Sequence, residues 1–336
     1  MTNYDLCIDL GSFYTTIYKK NCGVVLREPT LAIIATSGKN MKVVKMGAEA
    51  ERMYGKISDD EVFVRPVVEG VIKNTSLTQR LLTYFLSKIA PYRFVKPAIR
   101  VIVLLPVGLK EEEYDDYRDV FYGIGFAKID FVYSLVTSTL VDAPYFSLGK
   151  ANMVVNIGAG KTEIGVVVNG KILSACSLGV GGNLIDKCIV EHLQQTKGYI
   201  VSQNSASKLK EEIGSLYETD TSNMEVFVQD SFASNQTSVV VASQDIIKPI
   251  YENYFKVLQT IQACYNQCSQ EIASDIKNEG IVLVGGASKM WGLEKFFKKV
   301  LQMPIFVMEN AEIEPILGSE KLFSDVNLLQ RVIEQN

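Results

Sequence analysis

Histidine is nearly missing from this chain: among 336 residues there is one, His192. A zinc site would have to bring His192 from a distance to the i,i+4 pair Cys264 and Cys268, which makes a structural metal a poor expectation. Long basic runs are also absent, and the formal net charge is -4. Phosphate neutralisation needs a concentrated positive face, so no nucleic-acid partner is expected. No apolar run approaches the roughly 18 residues of a spanning helix, and the amino terminus lacks a charged-then-apolar signal. A soluble, cytoplasmic protein is the expectation. Cys7, Cys22, Cys176, Cys188, Cys264 and Cys268 are scattered, mostly among apolar neighbours. That pattern suits buried thiols in a reducing compartment better than a disulfide frame.

What is present is enough for a large folded interior: 47% of residues are hydrophobic and 21% charged. A chain of this length exceeds one ordinary core, so two domains or a pair of similar lobes are expected. "YDLCIDLGSFYTTIYKK" reads as an apolar strand ended by Asp9, a turn at Gly11 and a β-branched strand, together a hairpin. About half a chain later, "ANMVVNIGAGKTEIGVVVNGKILSACSLGVGG" repeats the plan and adds an Asn-Gly hairpin turn at Asn169 and Gly170. The repeat suggests duplicated α/β lobes facing each other across a cleft.

Between the two hairpins, helical spacing over "NTSLTQRLLTYFLSKIA" and "KEEEYDDYRDVFYGIG" flanks a buried strand in "AIRVIVLLPVG". Further on, "GNLIDKCIVEHLQQTKG" and "NSASKLKEEIGSLY" read as helices, followed by one long helix from Ser243 to about Ile276 with Ser243 and Asp245 as caps. "GIVLVGGASKMWGLEKFFKKVLQ" is strand, glycine turn and helix, a geometry that offers backbone N–H groups to a phosphate or ribose. In the carboxy-terminal segment Leu322, Val326, Leu329 and Ile333 share one helical face, read as packing against the first lobe.

A glycine turn alone implies no ligand. The ordered set "IDLGSFYTTIY", "VVNIGAGKTEIG" and "IVLVGGASKM" resembles the phosphate-one, phosphate-two and adenosine motifs of the actin, Hsp70 and sugar-kinase superfamily. Within it, "REPTLAII", "GAEAERMYGK", "VRPVVEGVIKN", "LLPVG", "VGGNLID", "KLKEEIGSLY" and "EIASDI" resemble MreB, the bacterial relative of actin, from about Asp5 to the last helix. The resemblance implies an α/β, actin-like ATPase fold: two duplicated RNase H-like lobes with small inserted subdomains around a nucleotide cleft. It implies subdomain IA at 1–32, 76–144 and 319–336, IB at 33–75, IIA at 145–180 and 245–318, and IIB at 181–244.

It also implies ATP or ADP with Mg2+ as the bound group. Gly11, Ser12 and Phe13 would contact phosphate, and Gly158, Ala159, Gly160 and Lys161 would form the opposing hairpin. Gly181 and Gly182 would lie where the lobes connect, Lys210 and Glu212 near the ribose, and Gly285, Gly286 and Ala287 under the adenine. Asp9 and, through water, Asn156 would lie on the metal side.

Departures from the family pattern fall where hydrolysis would occur. The family reads roughly "DIGGGTTE" where this chain has "NIGAGKTE", so Asn156 replaces a carboxylate and Lys161 a threonine. The family's "EEP" aligns with Ser134, Leu135 and Val136, which removes the glutamate expected to orient the attacking water. In phosphoryl transfer the protein mainly positions and polarises, so very slow or absent turnover is expected. Asn156 removes a charge, so weaker dependence on Mg2+ is expected too. By the resemblance, the chain is expected to be a hydrolysis-degenerate paralogue like those of helical wall-less bacteria, and the resemblance implies assembly into antiparallel double filaments for cell shape or motility, with other MreB paralogues as partners. An ATP-hydrolysing MreB is the first alternative. A sugar-kinase-like phosphotransferase is less favoured, because no carboxylate base for an acceptor hydroxyl stands out. In "APYRFVKP", Tyr92, Phe94 and Val95 sit beside Arg93 and Lys96, a composition suited to a headgroup interface at the inner face of the cell membrane.

Overall fold

A computed structural model describes residues 5–37, 40–89, 99–141, 146, 149–230 and 236–333. The chain divides into two compact units, one of Met1–Ala143, Asn169–Leu173 and Ile313–Asn336, the other of Pro144–Val168 and Ser174–Glu312.

The first unit begins with β1 (Asp5–Leu10), β2 (Tyr14–Lys19) and β3 (Gly23–Pro29). An inserted sheet follows, built from β4 (Ala32–Ser37), β5 (Asn40–Met46) and, after the short α1 (Ala48–Glu51), β6 (Glu61–Val64). A two-residue pair, β7 (Val67–Val68) and β8 (Val71–Ile72), leads to α2 (Thr75–Ile89), β9 (Arg100–Leu105), α3 (Glu111–Ile124), β10 (Lys128–Tyr133) and α4 (Ser134–Ser138). The main sheet has the order β10-β9-β1-β2-β3. Strand alternation explains why it is covered on both faces. Leu6, Ile8, Val101 and Val103 join Leu81, Phe85 and Phe121 of α2 and α3, while Cys7, Ile102 and Leu104 face the other way.

The second unit repeats the plan with β11 (Asn152–Ile157), β12 (Thr162–Val168) and β13 (Lys171–Leu178), the first three residues of β13 being grouped with the first unit. Then come α5 (Gly182–Lys197), β14 (Tyr199–Ile200), α6 (Gln203–Ile213), β15 (Asn223–Asp230) and β16 (Gln236–Ala242), the three strands forming an inserted sheet. α7 (Ser243–Asn266), α8 (Gln270–Glu279), β17 (Ile281–Val284), a 3-10 turn at Gly286–Lys289, α9 (Leu293–Leu301) and β18 (Ile305–Val307) complete it. Its main sheet has the order β13-β12-β11-β17-β18. In each sheet a first strand pairs antiparallel with its hairpin partner and parallel with a later strand. The duplication expected from the two glycine hairpins is therefore present in the topology. Asn169 and Gly170 both have positive φ, as an Asn-Gly hairpin turn requires.

The chain then returns to the first unit as α10 (Glu314–Leu317), α11 (Ser319–Ser324) and α12 (Val326–Ile333). Ile316, Leu322, Phe323, Leu329 and Val332 cover the face of the first sheet that carries Cys7, Ile102 and Leu104. Each such buried apolar side chain stabilises the unit by about 1.5–3 kcal/mol.

Three expectations are corrected. The long helix after Ser243 is two helices, because the Ser269 hydroxyl accepts from Ile272 N and starts α8 afresh. At the start of α7 it is Asp245, accepting from Ala242 N at 3.0 Å, that caps. The carboxy-terminal helix breaks at Asp325, whose carboxylate accepts from Leu328 N, and the break leaves Val326 exposed. Of the cysteines, Cys7 is buried and Cys22 exposed; Cys176 Sγ and Cys264 Sγ lie 2.6 Å apart as free thiols. Tyr92, Phe94 and Val95 lie outside the described residues. Among the described residues no helix is long and apolar enough to cross a membrane.

Candidate functional site

The candidate residues divide between the units, and each set is described within its own unit. In the first, Asp9 and Leu10 end β1, and Gly11, Ser12 and Phe13 make the turn into β2. Gly11 N donates to Tyr14 O at 3.1 Å, and a Cβ on Gly11 would stand 2.7 Å from that same oxygen, so only glycine closes the turn. The turn is braced from the inserted segment. Gly70 N donates to Ser12 Oγ at 2.9 Å, and Arg65 Nη1 donates to Phe13 O at 3.1 Å while its guanidinium lies 4.1 Å from the Phe13 ring centre.

Ser134 begins α4 directly after β10 and is 6% exposed. Its carbonyl accepts from Thr137 Oγ1 and Ser138 Oγ, but its own hydroxyl is buried with no hydrogen-bond partner. A buried hydroxyl without a partner costs about 1–3 kcal/mol unless a ligand or water satisfies it.

The second unit gathers most of its candidates around one turn. Gly158 N donates to Lys161 O at 3.0 Å, closing the β11–β12 hairpin. The first amides of α5 fasten that hairpin, Gly182 N donating to Gly158 O at 3.0 Å and Asn183 N to Ala159 O at 2.8 Å. Thr162 Oγ1 adds a bond to Val180 O at 2.7 Å. The packing is so close that a Cβ on Gly181 would lie 2.6, 2.7 and 2.8 Å from three backbone atoms of Gly158–Lys161. A Cβ on Gly182 would lie 3.1 Å from Lys210 Nζ, 3.7 Å from Ala159 Cα and 4.0 Å from Ala287 Cβ. Four separate stretches of sequence thus converge within one side chain's reach.

Lys210 is held there by an ion pair of 2.7 Å with Asp186 and a bond of 3.2 Å to Gly182 O. Burial pushes the Asp186 carboxyl up from its ordinary range, against the opposing pull of Lys210. Gly285 has φ +85° and its N donates to Ala311 O; a Cβ there would meet Ile157 O and Asn156 Oδ1. Tyr254 Oη donates to Ala287 O at 2.6 Å and Ser288 Oγ to Gly285 O at 2.7 Å, fixing the glycine turn after β17. Glu212 is exposed on α6 and takes no part in these contacts.

Lys161 is not a solvent-facing lysine: its side chain is 12% exposed and its ammonium lies 3.6 Å from Glu163 Oε1. Asn156 Nδ2 donates to Glu163 Oε2 at 3.2 Å. Glu163 and Asp186 were not singled out from sequence. Asp186 was detectable, following Gly182 by one helical turn on α5, whereas Glu163 sits on β12 with no such signal.

The Mg2+ that the resemblance implies fits the donor set only in part. Asp9 is a carboxylate and suits a hydrated divalent ion. Asn156 and Glu163 of the second unit do not: Asn156 turns its amide hydrogens to Glu163 and its oxygen towards Gly285, and Glu163 already faces a lysine. Among the described residues, no group of three or more His, Cys, Asp or Glu side chains is placed to hold a metal.

A sequence model of the MreB/Mbl protein family matches residues 3–331. The cell shape-determining protein MreB of Escherichia coli strain K12 is 28% identical over 313 residues, 92% of this chain and 90% of that protein. In fold, the chain is similar to MreB5 of Spiroplasma citri bound to ADP, with a TM-score of 0.89 and 23% identity over 100% of this chain and 99% of that one. It is also similar to a MamK double helical filament, with a TM-score of 0.79 and 16% identity over 96% and 99% of the two chains.

Proposed function

Since the chain belongs to the MreB/Mbl protein family, we propose that it is a filament-forming actin homologue that binds ATP or ADP and turns ATP over very slowly or not at all. The observation that carries the nucleotide reading is the convergence of Ala159, Gly182, Lys210 and Ala287 on one spot of the second unit. Close-packed glycine turns leave room for a ligand against the backbone, and turns of successive peptide groups are suited to receiving phosphate oxygens. In this reading the Gly158–Lys161 hairpin and the Gly11–Phe13 turn take the phosphates, Lys210 and Glu212 approach the ribose, and Gly285, Gly286 and Ala287 take the base. Bound ADP in a protein of the same fold supports the choice of ligand.

Slow turnover follows from Ser134. A neutral hydroxyl accepts a proton poorly from an attacking water, whereas a carboxylate polarises it, and such positioning contributes factors of roughly 100 to 10,000 in rate. Lys161 favours bound ATP without supplying a base. Assembly then takes the form of head-to-tail protofilaments, paired antiparallel, with subdomain boundaries as the resemblance implies. Nucleotide binding favours the polymer, and without hydrolysis to reverse that shift the filaments persist or depend on paralogous subunits. The protein acts in the cytoplasm, in cell shape or motility, with the segment at Tyr92, Phe94 and Val95 meeting the membrane.

Phosphate release under filament-forming conditions, measured beside nucleotide binding on the same sample, tests the reading. Binding with almost no release is expected, and release rising at least about tenfold in Ser134→Glu with Lys161→Thr. Ordinary release by the parent would show that another group positions the water, leaving an active ATPase.

A further inference from the structure

We propose that this protein binds its nucleotide without needing a divalent cation, the Lys161 ammonium supplying the positive charge that a metal would otherwise bring. The inference rests on the nucleotide-binding reading above and deepens it.

A divalent cation bound beside a polyphosphate needs anionic or carbonyl oxygens on the protein to hold it or its waters. On the β11–β12 hairpin the one carboxylate is Glu163, 4% exposed. It is committed from both sides. Its Oε2 accepts from Asn156 Nδ2 at 3.2 Å and its Oε1 lies 3.6 Å from Lys161 Nζ. Asn156 cannot turn its oxygen outward without giving up that bond, because its Oδ1 is stacked over Gly285, where even a methyl group would come within 2.5 Å. The one carboxylate of the hairpin and the amide beside it are therefore already engaged, and neither side chain is turned out to hold a metal or its water shell.

What it does present is a cation. Formal charges on Asn156, Lys161 and Glu163 cancel, so this wall of the site carries no excess negative charge to repel a nucleotide. The Lys161 side chain is 12% exposed, held beside a turn whose backbone is fastened to α5 by Gly182 and Asn183. An ammonium has three donors on a flexible stem and gains strength from exclusion of water. A metal ion added next to it would meet like charge, and the side chains of this hairpin would offer no free carboxylate in compensation, leaving Asp9 of the first unit as the one carboxylate among the candidate metal residues.

The test is ATP affinity by titration calorimetry, measured once with excess Mg2+ and once with EDTA, for the parent and for Asn156→Asp with Lys161→Thr. The double change lowers the local charge by one unit at each position, together the charge of one divalent cation. Expected is parent affinity in EDTA within about threefold of that in Mg2+, and a loss of at least about tenfold in EDTA for the double variant. A parent that weakens by about tenfold or more in EDTA overturns the inference while leaving the nucleotide reading intact. Absence of binding in both buffers, with a cooperative thermal melt showing folded protein, overturns the nucleotide reading itself. The parent comparison decides the matter even if the double variant fails to fold.

Discussion

Replacing Gly181 by alanine adds one methyl group at the tightest point of the second unit. Gly181 has an extended φ of -154°, so alanine meets no backbone strain of its own there. The cost comes from its neighbours: the new Cβ would lie 2.6 Å from Ala159 O, 2.7 Å from Lys161 N and 2.8 Å from Gly158 O, all backbone atoms in a closed hairpin. Moving the hairpin away stretches the bonds from Gly182 N and Asn183 N that tie it to α5. Overpacking costs about 1–3 kcal/mol, and two weakened hydrogen bonds add about 0.5–1.5 kcal/mol each. For a body of this size that predicts a melting temperature lower by roughly 5–15 °C. Gly182→Ala is the control, since its nearest contact would be 3.1 Å, to Lys210 Nζ, a side-chain atom that need yield only slightly and can keep its pair with Asp186. Differential scanning fluorimetry with and without ATP gives both numbers. The expected result is a large drop for Gly181→Ala, a drop at most half as large for Gly182→Ala, and loss of the ATP-induced shift in the first. Equal melting of the two variants would refute the packing argument.

Removing Lys210 as Lys210→Met should leave Asp186, 2% exposed, without its ion-pair partner, at a cost of about 3–5 kcal/mol in urea melts near neutral pH. The sign of the pH effect is fixed by burial. A carboxyl raised above its ordinary 3.8 in the folded state makes stability fall as pH rises from that value through the raised one, and losing Lys210 extends the window upward. The deficit of the variant should therefore shrink at about pH 4 compared with about pH 7, and an equal deficit at both would mean that Asp186 is not the group responsible. Phe94→Asp should abolish co-sedimentation of the parent with anionic liposomes, and a parent that does not co-sediment at all would end the membrane proposal.

The alternation of apolar residues around Asp9 and Asn156 made both glycine hairpins legible in the sequence, because a buried sheet imposes its period on every strand. Helix interiors were legible for the same reason; their breaks were not. Ser269 and Asp325 end one helix and start the next through a single side-chain bond each, and hydrophobic spacing carries across such a break unchanged. In the candidate site, glycines were found by their place in turns, and Lys161 by its departure from a pattern. The partner of Lys161 was harder to find, since a glutamate on a strand reads equally well as an exposed residue. Only its burial beside Asn156 and Lys161 gives it a role.

The return of residues 313–333 to the first unit also sets an order of events in time. Tyr18 hydrogen-bonds Glu320, a partner 302 positions later, and Ile316, Leu322 and Leu329 cover a sheet whose strands left the ribosome long before. Until that tail emerges, Cys7, Ile102 and Leu104 lack their cover, while the second unit has every strand of its main sheet by Val307. Closing so long a loop is slow relative to local pairing. During synthesis the second unit can therefore complete its sheet first, and the unit that carries Ser134 is sealed only once residues 313–333 have been made.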